Sequence, residues 1–246
     1  MREGDTLPPM HSNRSELREG EWVGLPDAAG LLLDFDGPVC DLFASGIPRD
    51  AAAAGRSIFL KAGVEIPREM SDTNGALVLL QWAAIHAVDL TPELEAIQEA
   101  REHLAITTAR PTPHSRDVIL AAKSHGMRVA IVSNNSKNVI LRYLLKHDLA
   151  PHIDFIAARE RGEAHLLKPS PALLLRASET LDIPTQHCVM LGDTTTDITA
   201  ANRAHMPSVG FATKPERAQP LALAGASTVF HDMKSVVSIL HGVAGD

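Results

Sequence analysis

The stretch Leu31-Leu32-Leu33-Asp34-Phe35-Asp36-Gly37 decides the fold of this 246-residue chain. Three leucines in a row predict a β-strand that is buried on both faces, as the strands of parallel sheets are. Asp34 and Asp36 follow directly, and the period-two alternation of strand side chains places both on the same side of the chain. A strand that ends in this way leaves its acids at the carboxyl edge of a sheet, where open α/β folds bind ligands. The stretch therefore predicts a reaction centre.

The two carboxylates of this stretch need a charge partner. At about 4 Å and intermediate dielectric, two like charges repel each other by about 4 kcal/mol. A bound metal ion, a shared proton or both would relieve that repulsion. Few structural roles need an acid pair directly after a buried strand, so the pair indicates chemistry rather than packing.

Composition narrows the class of protein. The chain carries 23 Lys and Arg against 30 Asp and Glu, a net charge of −7, which argues against nucleic-acid and anionic-membrane partners. A phosphate-bearing small molecule stays compatible, since a metal ion and one lysine can invert the local field. The longest mostly apolar run, Leu77 to Val88, is interrupted by polar residues and is too short to cross a bilayer. Two cysteines, Cys40 and Cys188, without a C-x-x-C pattern predict a reduced, cytoplasmic protein.

The chain divides into three kinds of segment. Residues 1–26 contain no apolar core, and we expect a poorly ordered N-terminal extension. Residues 43–107 show helical patterns and no convincing strand, which predicts a helical insertion. Residues 27–42 and 108–246 alternate short apolar strands with helices. Repeated strand–helix units predict an α/β core, a doubly wound and mostly parallel Rossmann-like sheet with helices on both faces.

Polar residues interrupt this alternation where strands end. The predicted strand ends and helix starts carry Asp34 and Asp36, then Ser133 and Asn134, then Lys168, and finally Asp193 and Asp197. Because the carboxyl ends of parallel strands meet at one edge of a doubly wound sheet, we expect all of these side chains to meet there.

These residue types together suit phosphoryl transfer. A carboxylate can attack phosphorus and form an aspartyl-phosphate, and a second carboxylate two residues later can protonate the leaving oxygen and then activate water. Mg²⁺ takes its oxygen ligands from carboxylates, a backbone carbonyl and phosphate. Ser133, nearby backbone N–H groups and Lys168 would hold the remaining phosphate oxygens. We group Asn134 with them as a predicted phosphate-binding residue.

The four signals, in this order, resemble the motifs of the haloacid dehalogenase-like hydrolase superfamily from residue 31 to about residue 210. The segment from Asp34 to Gly37 is similar to the first motif, Ser133 to the second and Lys168 to the third. Gly192-Asp193-Thr194-Thr195-Thr196-Asp197 is similar to the fourth. The resemblance implies that Asp34 is the nucleophile and that Asp36 is the general acid and base.

The same resemblance implies a metal site and a cap. Asp34, the backbone carbonyl of Asp36, and Asp193 would hold Mg²⁺, while Asp197 would support the metal's waters or Lys168. The helical insertion looks like the cap domain of the phosphoglycolate phosphatase-like branch. The sequence departs from the family pattern at Pro38, where Thr or Val is common, and proline removes one backbone donor beside the site.

The predicted function is a Mg²⁺-dependent phosphatase that acts on a small phosphorylated metabolite, as a monomer or a homodimer. A phosphomutase of the same fold is the alternative, because it shares the nucleophile and the acid but returns the phosphoryl group. Dehalogenases and phosphonatases of this superfamily usually lack an acid at the position of Asp36. The sequence therefore favours a phosphatase over these two activities. A signalling receiver domain is a more distant alternative, since receivers are about half this length and carry their acceptor on a middle strand.

Each candidate residue also has a structural interpretation. Ser133 would suit a helix cap, Lys168 a solvated surface position and Asp193 a turn after a strand. Asp197 would suit a helix N-cap alone. The cap offers no recognisable substrate motif, so the sequence leaves the substrate and the cap residues that contact it open.

Overall fold

A parallel sheet of six strands forms the centre of the molecule. The computed structural model describes residues 24–44, 51–71 and 75–242. Within them the sheet has the order β5-β4-β1-β6-β7-β8, and every adjacent pair is parallel. The strands are β1 (Gly30–Leu33), β4 (Arg128–Ser136), β5 (Phe155–Arg159), β6 (Cys188–Gly192), β7 (Ser208–Phe211) and β8 (Val229–Phe230).

The first strand lies in the middle of this sheet. Gly30 pairs with Arg128 of β4 on one side and with Cys188 of β6 on the other. The chain passes from β1 outward through β4 to β5, and then crosses back to build β6, β7 and β8 on the opposite side. The strand order therefore reverses next to β1, and ligands bind at such a switch point in open α/β sheets.

Helices cover both faces of the sheet. They are α5 (Ser115–Ser124), α6 (Lys137–Lys146), α7 (Ala172–Leu181), α8 (Thr195–Arg203), α9 (Pro215–Leu223) and α10 (Met233–Leu240). Apolar residues of α5, α6 and α10 form one core cluster with alternate residues of the strands, and those of α7 and α8 join a second cluster with the intervening strand residues. The doubly wound, mostly parallel α/β fold is thus confirmed.

The leucine run shows why the first strand needs apolar residues at successive positions. Leu31 and Leu33 belong to the first core cluster, whereas Leu32 belongs to the second. All three are at most 2% exposed. A strand covered on both faces has no side that tolerates a polar residue. Burying an aliphatic side chain of this size contributes about 1.5–3 kcal/mol, so the run anchors the carboxylates that follow it.

A helical segment stands between two short strands. The strands β2 (Cys40–Asp41) and β3 (Arg110–Pro111) pair in antiparallel fashion, and the described residues between them contain four α-helices. These are α1 (Ala51–Lys61), α2 (Arg68–Ser71), α3 (Ala76–His86) and α4 (Thr91–Ala105). Phe59 of α1 packs edge-on against Trp82 of α3, with ring centroids 5.6 Å apart. The segment forms a helical cap on the α/β core.

Parts of the predicted domain division lie outside the described residues. The extension predicted over residues 1–26 does so almost entirely, and the cap predicted over residues 43–107 is described except at 45–50 and 72–74. The bounds of the cap stay a prediction. No helix in the described ranges is both long and apolar enough to traverse a bilayer.

Candidate active site

Four of the predicted site residues meet beyond the carboxyl end of β1. Asp34 follows β1, Asp193 follows β6, and Asp197 lies in the first turn of α8. One carboxylate oxygen from each of these acids lies within 4.8 Å of the others. Lys168 joins them from the loop before α7. The switch point of the sheet thus carries a buried cluster of three acids and one lysine.

Lys168 occupies the centre of this cluster. Its ammonium Nζ lies 3.0 Å from Asp34 Oδ1 and 2.5 Å from Asp197 Oδ1, and it donates a hydrogen bond of 2.8 Å to the carbonyl of Val132. The side chain is 2% exposed. Burial by itself would lower the pKa of Lys168, but Asp197 and Asp34 outweigh burial and raise that pKa. Lys168 is therefore a buried cation, which rules out the interpretation as a solvated surface lysine.

Asp197 has two roles at once. Its Oδ2 accepts hydrogen bonds from the backbone N–H and the hydroxyl of Thr194, at 2.9 and 2.6 Å, in a capping box at the start of α8. Its Oδ1 faces Lys168. A Cβ at Gly192 would overlap the Asp197 side chain, so the close approach of strand and helix requires glycine there. The helix N-cap is Thr194 and not Asp197 as one interpretation of the sequence predicted; Asp197 completes the capping box from the third helical position and is also the charge partner of Lys168.

The other two acids of the cluster hold their protons unusually tightly. Burial raises the pKa of Asp34, and so does the charge of Asp197, while Lys168 and the N–H of Phe35 offset only part of the rise. Burial, together with Asp34 and Asp197, also raises the pKa of Asp193 to about 8. The cluster therefore contains more negative charge than its own cations compensate.

The surroundings of Asp193 fit a divalent cation. Its Oδ1 is buried and has no hydrogen-bond partner in the described part of the chain. The backbone of Gly37 comes so close to this carboxylate that a Cβ would lie 2.5 Å from Asp193 Cγ. Carboxylate and carbonyl oxygens are the ligands that hard cations such as Mg²⁺ or Ca²⁺ prefer. An unpartnered buried oxygen beside two further carboxylates is thus suited to metal binding.

Asp36 is not one of the three acids whose oxygens meet within 4.8 Å, although its charge adds to the rise in the pKa of Asp193. Its side chain is half-buried, and its Oδ1 accepts a hydrogen bond of 2.9 Å from the backbone N–H of Leu42. That contact holds the carboxylate against the start of the cap connection. A more accessible carboxylate beside a buried one suits proton transfer better than attack.

Ser133 and Asn134 make their side-chain hydrogen bonds to neighbouring residues of the protein. Ser133 is 1% exposed, and its hydroxyl donates to Asn135 Oδ1 at 3.0 Å. The Asn134 side chain brackets the backbone of Lys168, because its Nδ2 donates to the Lys168 carbonyl at 2.9 Å and its Oδ1 accepts from the Lys168 N–H at 2.8 Å. Both groups of that amide are used within the protein, which favours a positioning role over the predicted phosphate contact.

The sequence interpretation missed two residues that contact the site. Arg217 of α9 places its Nη1 3.1 Å from Asp193 Oδ2. Gln81 of the cap helix α3 donates to the carbonyls of Leu167 and Lys168, at 3.1 and 3.2 Å. Gln81 had a signal, because it interrupts an otherwise apolar helix. Arg217 had none, since it lies 24 residues beyond Asp193 in a helix without a motif.

Comparison with known proteins places the chain in a family. A family model described as Haloacid dehalogenase-like hydrolase matches residues 79–211, more than half of the chain. The match includes the second, third and fourth motifs. The phosphoglycolate phosphatase of Neisseria meningitidis is 28% identical over 192 residues, covering 73% of this chain and 78% of that protein. The phosphoglycolate phosphatase of Pseudomonas fluorescens is 24% identical over 223 residues, covering 84% and 78%.

Solved structures share the fold. A predicted phosphoglycolate phosphatase from Haemophilus somnus superposes with a TM-score of 0.60 at 19% identity, covering 88% of this chain and 99% of that one. CbbY from Rhodobacter sphaeroides superposes with a TM-score of 0.59 at 21% identity, covering 85% and 96%. The predicted fold and the predicted class of enzyme, a phosphoric monoester hydrolase, are confirmed. The chain belongs to the haloacid dehalogenase-like hydrolase family and is similar within it to phosphoglycolate phosphatases.

Proposed function

We propose that the protein is a Mg²⁺-dependent phosphatase that hydrolyses a small phosphomonoester through an aspartyl-phosphate on Asp34. The observation that carries the proposal is the buried cluster beyond β1, where Asp34, Asp193 and Asp197 lie together beside a single ammonium. Phosphoglycolate is the first substrate to test, because similar proteins bear the name phosphoglycolate phosphatase.

The metal site would be built from Asp34, the backbone carbonyl of Asp36, and Asp193. The unpartnered Oδ1 of Asp193 and its close neighbour Gly37 support this assignment. When bound, the ion would supply positive charge that keeps the carboxylates ionised and neutralises phosphate oxygens.

In the first half of the reaction, an Asp34 carboxylate oxygen forms a bond to phosphorus while the bond from phosphorus to the ester oxygen breaks. Asp36 donates its proton to that departing oxygen, which leaves as an alcohol. Lys168 stands 3.0 Å from Asp34 Oδ1 and supports the ionised form of the nucleophile. Asp197 in turn holds Lys168 in place from the start of α8.

In the second half, water attacks the phosphorus of the aspartyl-phosphate, and the bond between phosphorus and Asp34 breaks. Asp36 accepts the proton of that water, so both acids return to their starting states with release of inorganic phosphate. Ser133 and Lys168 hold the phosphate oxygens through both halves, which keeps phosphorus in line with the attacking atom.

The proposal is tested by release of inorganic phosphate from p-nitrophenyl phosphate and from 2-phosphoglycolate, with Mg²⁺ and with EDTA. We expect hydrolysis that requires the metal and that Asp34→Asn abolishes. Activity that persists in EDTA, or in the Asp34→Asn variant, would overturn the proposal.

Product analysis with a sugar phosphate separates the phosphomutase alternative. A phosphatase releases inorganic phosphate, whereas a mutase yields an isomeric ester and leaves free phosphate low. We expect free phosphate, because the similar curated proteins are named as phosphatases.

A further inference from the structure

Glu102 of α4 is a fully buried carboxylate outside the acid cluster. It forms an ion pair with Arg159 at the end of β5, whose side chain is only 3% exposed. The carboxylate accepts hydrogen bonds from Arg159 Nη1 at 3.0 Å, Arg159 Nη2 at 2.9 Å, Gln98 Nε2 at 2.8 Å, Asn135 Nδ2 at 3.2 Å and the Ser136 N–H at 2.9 Å. A carboxylate with this many donors is fixed in one orientation.

Two of these partners lead directly to the phosphate-binding residues. Asn135, which donates to Glu102, accepts the hydroxyl hydrogen of Ser133. Arg159 also donates to the backbone carbonyl of Asn134 at 2.9 Å, and the Asn134 side chain brackets the backbone of Lys168. One cap carboxylate is thus linked by chains of hydrogen bonds to Ser133 and to the backbone of Lys168.

The segment between Ser133 and Ser136 needs such support because regular sheet pairing does not supply it. The register of β4 on β5 is regular up to Ser133 and then shifts before Ser136 pairs with Arg159. Bulged segments re-aim side chains beside active sites. Glu102 accepts the N–H of Ser136, the residue at which the pairing of β4 with β5 resumes after the shift.

We propose that Glu102 is a positioning residue for the phosphate site, acting from the cap together with Arg159. It holds the segment 133–136 so that the Ser133 hydroxyl and the Lys168 ammonium face the same phosphate. The inference rests on the proposed function, since it assigns Glu102 to the phosphate-binding part of that site.

The same helix provides a matched control in Glu95. This residue is also buried, at 6% exposed, and its two carboxylate oxygens accept the Gly162 N–H at 3.0 and 3.2 Å. Glu95 therefore ties the cap to the core as Glu102 does, but its hydrogen bonds go to the loop after β5. A general loss of cap anchoring would affect both variants alike, whereas a positioning role would affect Glu102 alone.

The experiment compares Glu102→Gln with Glu95→Gln in phosphate inhibition, in kcat/KM for p-nitrophenyl phosphate, and in amide hydrogen exchange of residues 133–137. We expect Glu102→Gln to weaken inhibition by inorganic phosphate and to lower kcat/KM, each by about tenfold or more, as when groups that orient a site's ligands are changed. Amide hydrogen exchange of residues 133–137 should become faster in Glu102→Gln. Glu95→Gln should stay within about twofold of the wild type.

If Glu102→Gln does not fold, the double variant Glu102→Leu with Arg159→Met removes both charges, which often restores stability. It should fold, and it should show the same loss of phosphate inhibition and the same fast exchange. Equal losses in the two glutamine variants, or unchanged exchange after Glu102→Gln, would overturn the inference. A wild type without phosphatase activity would overturn the proposed function instead, and the exchange comparison would still decide the role of Glu102.

Discussion

The two ends of the central sheet treat their carboxylates in opposite ways. Asp154 lies at the amino end, just before β5, and accepts hydrogen bonds from Lys123 Nζ at 2.6 Å and from the Val129 N–H at 2.8 Å. Arg128 Nε lies 3.1 Å from its other oxygen. Burial alone would raise the pKa of Asp154, but these donors outweigh burial and lower it.

At the carboxyl end the balance is reversed. Burial is again the largest influence on Asp34 and Asp193, but here other carboxylates add to it and the pKa values rise. One buried lysine and the half-exposed Arg217 face three acids. The amino end is a completed structural contact, whereas the carboxyl end keeps a deficit of positive charge that a divalent cation would complete. Perturbed groups of this kind cluster at functional sites.

The largest expected effect is loss of turnover when the nucleophile is changed. Asp34→Asn should lower kcat with p-nitrophenyl phosphate by about 10⁴-fold or more, because an amide oxygen cannot form the covalent intermediate. The matched variant at the other end of the sheet, Asp154→Asn, should keep kcat within about twofold of the wild type. Similar losses in both variants would break the contrast between the two ends.

The next effect tests the proton transfer assigned to Asp36. Asp36→Asn should lower kcat/KM by about 10²–10⁴-fold for an alkyl phosphate, whose leaving oxygen needs a proton. The loss in kcat/KM should be much smaller for p-nitrophenyl phosphate, because nitrophenolate leaves without protonation. Steady-state kinetics with both esters measures the difference, and an equal loss for the two substrates would contradict the assignment.

The fold could be predicted from sequence because its signals are local. The run Leu31–Leu33 must be buried on both faces, and its residues divide between the two core clusters. The acids follow strands or begin a helix, Ser133 lies towards the carboxyl end of β4, and Lys168 precedes α7, so the topology alone brings them to one edge. These predictions needed no knowledge of side-chain contacts.

The contacts between distant elements could not be predicted in the same way. Glu102 and Arg159 are 57 positions apart, and neither belongs to a motif. Arg217 reaches Asp193 from α9, which follows the next strand along the chain. The role of Asn134 depends on a backbone 34 positions away. Such pairs are set by three-dimensional packing, which a single sequence does not encode as a pattern.

Replacing Lys168 should lower the free energy of unfolding more than replacing a lysine at the amino end of the sheet. Lys168→Met leaves its carboxylate neighbours without their buried partner, and breaking a buried ion pair in this way costs about 3–5 kcal/mol. The loss of unfolding free energy should be largest at pH 8 in EDTA. It should be smaller at pH 5, because the carboxylates take up protons at that pH.

Urea unfolding at the two pH values measures this difference, with Lys123→Met as the control at the amino end. Lys123 is partly exposed, and Asp154 keeps Arg128 and Val129 as partners, so that variant should lose only about 1 kcal/mol. If Lys168→Met is no less stable than Lys123→Met at pH 8, the buried lysine does not compensate the cluster.

The smallest expected effect is on the pH dependence of the stability, and its sign should be opposite for Asp193 and for Asp154. The pKa of Asp193 is raised to about 8, so the folded protein binds this proton more tightly than the unfolded chain, and its stability falls as the pH rises from about 4 to about 8. Asp193→Asn removes that dependence, and in EDTA the variant should gain about 1 kcal/mol or more over the wild type at pH 8 but little at pH 5.

The pKa of Asp154 is lowered, so its contribution is present above the unfolded pKa near 4 and is lost as the pH falls through the folded value. Asp154→Asn should therefore cost about 1–2 kcal/mol at pH 7, and the loss should shrink below pH 4. Urea unfolding of both variants across this pH range gives the two signs.

Saturating Mg²⁺ should then stabilise the wild type but not Asp193→Asn, because a ligand stabilises only the state that binds it. Destabilisation by both variants at pH 8 in EDTA would show that Asp193, like Asp154, serves the fold rather than a metal.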